Sequence, residues 1–274
     1  VEKFNGLFNS AAPNHVLMFA KLFCAAFAFQ LFINFGPQLR YFKTQPTRIY
    51  GKPIKLFRIF QLPALSENQF IFLGTALILS LVFAATGIYT RPCLIIALLC
   101  YFPYFNSIQS LAYVQRKTNL LPLVLLVLAV SPSINKALAE PSTSWELVLI
   151  KIAISQMYFS AGLQKVLHSF FNWCNGAQLQ AYLLENYLWS DRRAGYLLAQ
   201  KRWLCSILSM LTLVFELTFW VILFFPQLTF VYIALALFFH LGTLFTMRIN
   251  YLKYLGPVYL VFFTGIAFWI KDHL

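Results

Sequence analysis

The chain predicts an all-α fold: a polytopic integral membrane helical bundle of about eight transmembrane helices, with an amphipathic surface helix near 172–188. Three observations carry this. The composition is 60% hydrophobic and only 11% charged, with a mean hydropathy of +0.71, outside the range of a soluble domain. The apolar residues gather into runs of about 18 to 24, long enough at 1.5 Å per residue to cross a hydrocarbon core of about 30 Å. No stretch alternates as a barrel strand would, and no soluble segment interrupts the pattern, so 1–274 reads as a single transmembrane domain.

In chain order the spans are 16–36, 69–89, 93–113, a short 119–131, 145–166, 203–225, 228–247 and 254–270. Gly and Pro within them are compatible with spanning, because neighbouring helices satisfy the freed backbone groups. The opening VEKFNGLFNSAAPNH lacks the basic-then-apolar order of a cleavable signal, so the first span is expected to serve as its own targeting signal. Between the fifth and sixth spans, HSFFNWCNGAQLQAYLLENY places Trp173, Gly176, Leu179 and Tyr182 at helical spacing, as in a helix lying along the membrane surface.

Charge sets the expected orientation. With eight spans, 14 of the 21 Lys and Arg residues fall in the loops 38–68, 114–118, 190–202 and 248–253, which share one face, and four fall on the other. The positive-inside rule makes the basic face cytoplasmic, or stromal or matrix in an organelle, with both termini opposite. The net charge of +13 is read as loops held against anionic lipid headgroups rather than as a nucleic-acid surface. The five cysteines form no C-x-x-C pair, the four histidines are scattered, and no phosphate loop or nucleophile elbow is present, so no metal site is expected.

Polar residues inside the spans form two stripes. In the fifth, Lys151, Ser155, Tyr158, Gly162 and Lys165 are 4, 3, 4 and 3 apart and share one helix face. In the sixth, Cys205, Ser209, Thr212 and Glu216 do the same. A lysine at mid-bilayer costs about 2.5–3.5 kcal/mol on insertion scales, so these stripes should turn inward. Counted from the basic face, Glu216 is about 20 Å deep and Lys151 lies about 21 Å above Lys165, which predicts a Lys151–Glu216 structural ion pair. Depth also permits a polar cluster of Tyr158, Lys165 and His240 near the basic face, with Asn119 and Gln109 close by.

The segment YFSAGLQK followed by W-x-x-G and Y-L, here Tyr158, Phe159, Ala161, Gly162, Lys165, Trp173, Gly176, Tyr182 and Leu183, resembles the horizontally transferred transmembrane (HTTM) domain family, which includes the vitamin K-dependent gamma-carboxylase. FELTFWVILFFP with Glu216 and FFHLGTLFTMRI with His240 are similar to the family's next two helices. The resemblance implies that Lys165 is a base acting on a quinol, and it is the only source of a quinone among the expected cofactors. The fourth-helix region, RKTNLLPLVLLVLAV, differs from the carboxylase in having no histidine.

Three functions remain open on the residues. One is a lipid-phase enzyme with catalytic Lys165, His240 and Tyr158, for which a buried amine beside a phenol suits proton abstraction. Another is a non-catalytic subunit that packs within a larger membrane complex through its Phe-rich faces. A transporter is third, although no inverted repeat is evident.

Overall fold

The computed structural model describes residues 13–44, 65–111, 120–134 and 145–273, and every regular element among them is helical. Ten α-helices follow in order: α1 Pro13–Thr44, α2 Glu67–Thr86, α3 Thr90–Leu111, α4 Leu120–Val130, α5 Trp145–Cys174, α6 Ala177–Ser190, α7 Arg193–Ala199, α8 Arg202–Thr218, α9 Thr229–Met247 and α10 Leu252–His273. Among the described residues, five stretches are long and apolar enough to cross a membrane: His15–Thr44, Glu67–Thr86, Trp145–Cys174, Arg202–Leu223 and Pro226–Met247. The other three expected spans are represented by shorter apolar helices, Thr90–Phe105, Leu120–Val130 and Leu252–Thr264.

Local chemistry explains where the helices begin and end. The Ser66 hydroxyl accepts from the Gln69 N–H and the Gln69 side chain accepts from the Ser66 N–H, a capping box that starts α2 two residues before the apolar run. Gly87, at φ 88°, closes α2 in the left-handed conformation that glycine adopts without a Cβ penalty. The fifth helix was expected to end at 166 and instead continues to Cys174, leaving helical geometry once, at Ser169. The surface helix accordingly starts later than 172, after Gly176, as α6, and α7 is a further short helix that periodicity did not show.

Within the described residues, 10–150 and 254–274 form one compact unit and 151–253 another. In the first, Phe70 is stacked between Phe42 (4.4 Å) and Tyr104 (4.6 Å), and the Tyr104 hydroxyl donates to Gln38 Oε1 at 2.7 Å. Gly74 leaves the space that the Phe35 and Tyr104 rings occupy. Lipid tails are as apolar as these side chains, so the gain here comes from close packing and the buried hydrogen bond. Glu146, fully buried at the start of α5, accepts from the Ser131 hydroxyl at 2.5 Å and the Ser133 hydroxyl at 2.9 Å. Arg91 donates to the Ser131 carbonyl at 2.6 Å, so three segments are tied at one polar knot.

In the second unit, α6 and α7 pack on the ends of α8 and α9 through Leu183, Ala199 and Cys205, with Leu179, Leu198 and Met247 around them. Gly195 sits directly against the Thr246 carbonyl, where a side chain would have no room.

Candidate functional site

The positions of Lys165 and Glu216 follow from where α5 and α8 touch. Gly176, at φ 75°, lies against the backbone of Cys205 and Ser206, and a Cβ there would come within 2.8 Å of the Cys205 carbonyl carbon. The Ser206 hydroxyl donates to the Cys174 carbonyl at the same junction. From this anchor the two helices run back antiparallel. Lys165 is eleven residues before Gly176 and Glu216 ten after Ser206, so each lies about 15 to 17 Å from the junction. At Gly162 a Cβ would stand 3.1 Å from the Glu216 Cβ and from Leu217, so the glycine permits the close approach of the helices.

Lys165 Nζ donates to both carboxylate oxygens of Glu216. Its other side faces the Trp173 ring, 4.9 Å from the centroid, a cation–π contact. Glu216 is thus held by Lys165, which corrects the expected Lys151–Glu216 pair. A depth count that takes residue 166 as the membrane-face end of the fifth helix puts Lys151 level with Glu216. With the end at Cys174, Lys165 moves inward to the level of Glu216, and Lys151 lies four turns, about 21 Å, farther along the helix.

Tyr158 and His240 are each 3% exposed, and the Tyr158 hydroxyl and His240 Nε2 are 2.7 Å apart. Either atom can be the donor, depending on the imidazole tautomer. The phenol ring is stacked on Phe219 (4.3 Å) and edge-on to Phe215 (5.1 Å), so its direction is fixed by aromatic packing. Beyond His240, at 5.3 Å between ring centroids, stands Tyr251, in the short connection between α9 and α10. Burial pushes its phenol above the ordinary tyrosine value, and the negative charge of Glu216 adds to the rise. Tyr251 therefore stands in ring contact with His240 and within the electrostatic reach of Glu216.

Tyr158, Lys165, His240 and Glu216 are gathered in one unit, with Trp173 and Tyr251 added to them. Asn119 and the side chain of Gln109 lie outside the described residues. Tyr251 was missed because it stands outside every apolar run, in RINYLKY, where the only available signal was an aromatic residue between two basic ones. The arrangement gathers two proton-handling pairs in one helical unit, a cation–carboxylate pair and a phenol–imidazole pair, with a second phenol beside the imidazole. No protein-family model, curated protein or solved structure matches this chain.

Proposed function

We propose that the chain is an eight-span integral membrane protein of the HTTM, carboxylase-like kind, in which Lys165, Glu216, Tyr158 and His240 handle a proton of a quinol or another lipid-soluble substrate. The observation that carries this reading is a buried phenol–imidazole hydrogen bond in the same helical unit as a nearly buried lysine–carboxylate pair. Of that pair, the Lys165 side chain is 18% exposed and the Glu216 side chain 4%, so Lys165 is the member that a bilayer-borne substrate can reach.

In the resting pair the ammonium already holds its proton. Passing it to Glu216 leaves a neutral amine and a neutral acid, a form that removes two charges from a low-dielectric site. The amine then takes the proton of a substrate O–H, leaving the substrate oxyanion beside the restored Lys165 ammonium. Trp173 shields one side of the amine, and Tyr158, fixed by Phe219, presents the imidazole with a hydroxyl able to donate or accept. The basic loops lie on the cytoplasmic, stromal or matrix side against anionic headgroups, and both termini lie opposite.

A second reading is a non-catalytic subunit, and one observation favours it. The ammonium is fully engaged by Glu216 and Trp173, as a purely structural cation would be, while Phe171, Leu188 and Trp189 in the same unit are more than 80% exposed. The deciding experiment is turnover of a short-chain naphthoquinol by the purified protein in vesicles, comparing wild type with Lys165→Arg. Arginine keeps the charge but does not release a proton near neutral pH. Turnover that is lost in a folded Lys165→Arg protein supports the base. Undiminished turnover removes that role, and an inactive but well-folded wild type favours the subunit.

A further inference from the structure

We propose that α1 and α2 form a binding site for one lipid molecule with an anionic headgroup, independent of the Lys165 site and of the function assigned to it. A groove of about 440 Å³ runs between the two helices, with Ala25, Ala28 and Ala85 as its small residues and Phe29, Phe32 and Val82 among its larger ones. Phe29 and Phe32 are 67% and 71% exposed, so the groove opens outward rather than into the packed core.

Its length selects the occupant. The lining runs from Ala25 to Phe32 on α1 and from Ile78 to Thr86 on α2, about 10 to 12 Å along each helix. That is most of one leaflet's share of a hydrocarbon core about 30 Å thick. An acyl chain entering from one surface fits this span, whereas a partner helix would call for a seam extending through both leaflets.

Charge marks the headgroup end. Lys21, Ala25 and Ala28 are at i, i+4 and i+7 and so share one face of α1. The Lys21 ammonium lies at the α2–α3 turn, 2.9 Å from where a Cβ on Gly87 would stand, and Gly87 follows the groove residue Thr86. The missing side chain at Gly87 makes room for the cation. Among the described residues the ion pairs are Lys43–Glu67 and Lys165–Glu216, and no carboxylate is paired with Lys21. A lysine inside a spanning helix next to an apolar channel is suited to an anionic headgroup whose tail occupies that channel.

The test uses the full chain reconstituted in vesicles that contain spin-labelled phosphatidylglycerol or spin-labelled phosphatidylcholine at equal mole fraction. Wild type should immobilise phosphatidylglycerol over phosphatidylcholine by about fivefold, the preference expected for one lysine near an anionic headgroup. Lys21→Gln should abolish that preference, and Lys21→Arg should keep it. Ala25→Leu, a groove-filling change at an exposed position, should reduce immobilisation of both lipids without altering the size-exclusion profile. An unchanged preference in Lys21→Gln would overturn the site and leave Lys21 as a cation serving only the carbonyl end of α2. Equal immobilisation of both lipids by wild type would overturn it too, as would formation of a disulfide-linked dimer by Ala25→Cys, which would give the groove to a second copy.

Discussion

The ammonium of Lys165 is shared by both oxygens of Glu216 and the face of Trp173, and this sharing sets the cost of each substitution. Lys165→Met or Glu216→Met alone leaves one buried charge without its partner, and each should lower stability by about 3–5 kcal/mol in detergent unfolding. The double replacement should recover a large part of that loss, because no charge is then stranded, and strictly additive losses would mean that the pair does not form in the membrane. Tyr251 gives a separate residue-level test. Its raised phenol pKa means that the folded protein keeps a proton that the unfolded chain releases near pH 10. Below that pH the two states bind equally and the residue contributes no pH dependence; above it the unfolded state binds fewer protons, so stability falls as pH rises. Tyr251→Phe should therefore lose less thermal stability than wild type between about pH 9 and 11. An identical decline in both would place Tyr251 in contact with solvent and away from Glu216.

At the scale of elements, the junction of α5, α6 and α8 decides the site. Gly176 holds a positive φ against the backbone of Ser206, so Gly176→Ala combines backbone strain with a clash and should cost about 1–3 kcal/mol. A Cβ added at Gly36 in α1 would meet nothing within 4 Å beyond its own helix backbone, and Gly36→Ala serves as the control, expected to be neutral or slightly stabilising. Equal melting temperatures for the two variants would show that the junction is not formed as described. The same junction shows how far periodicity could reach. Spacing put Tyr158 and Lys165 on one face of a helix and Glu216 on the face of another, and those stripes are visible in the sequence. Their axial offset is not, because it depends on where the helices touch. Moving the end of α5 by eight residues, about 12 Å, was enough to exchange Lys151 for Lys165 as the partner of Glu216.

For the whole molecule, orientation is the property with the broadest consequence. Single reporter cysteines in 192–202 and 248–253 should be shielded from a membrane-impermeant reagent on intact cells and should label after permeabilisation, as expected for basic cytoplasmic loops. Labelling from outside at both positions would reverse the topology. By itself the sequence determined the all-helical membrane class, the approximate place of each apolar helix and the residues able to share a helix face. Hydrophobic run length and the 3.6-residue period are local properties that survive in one dimension. The tertiary structure decided that Lys165 and not Lys151 meets Glu216, brought Tyr251 beside His240, and buried Glu146 among Ser131 and Ser133. Each of these depends on how neighbouring chain segments are placed along one another, which for Lys165 and Glu216, 51 residues apart, is fixed by close contacts such as Gly162 on Glu216 and Gly176 on Ser206, and no single helix encodes its own offset from another.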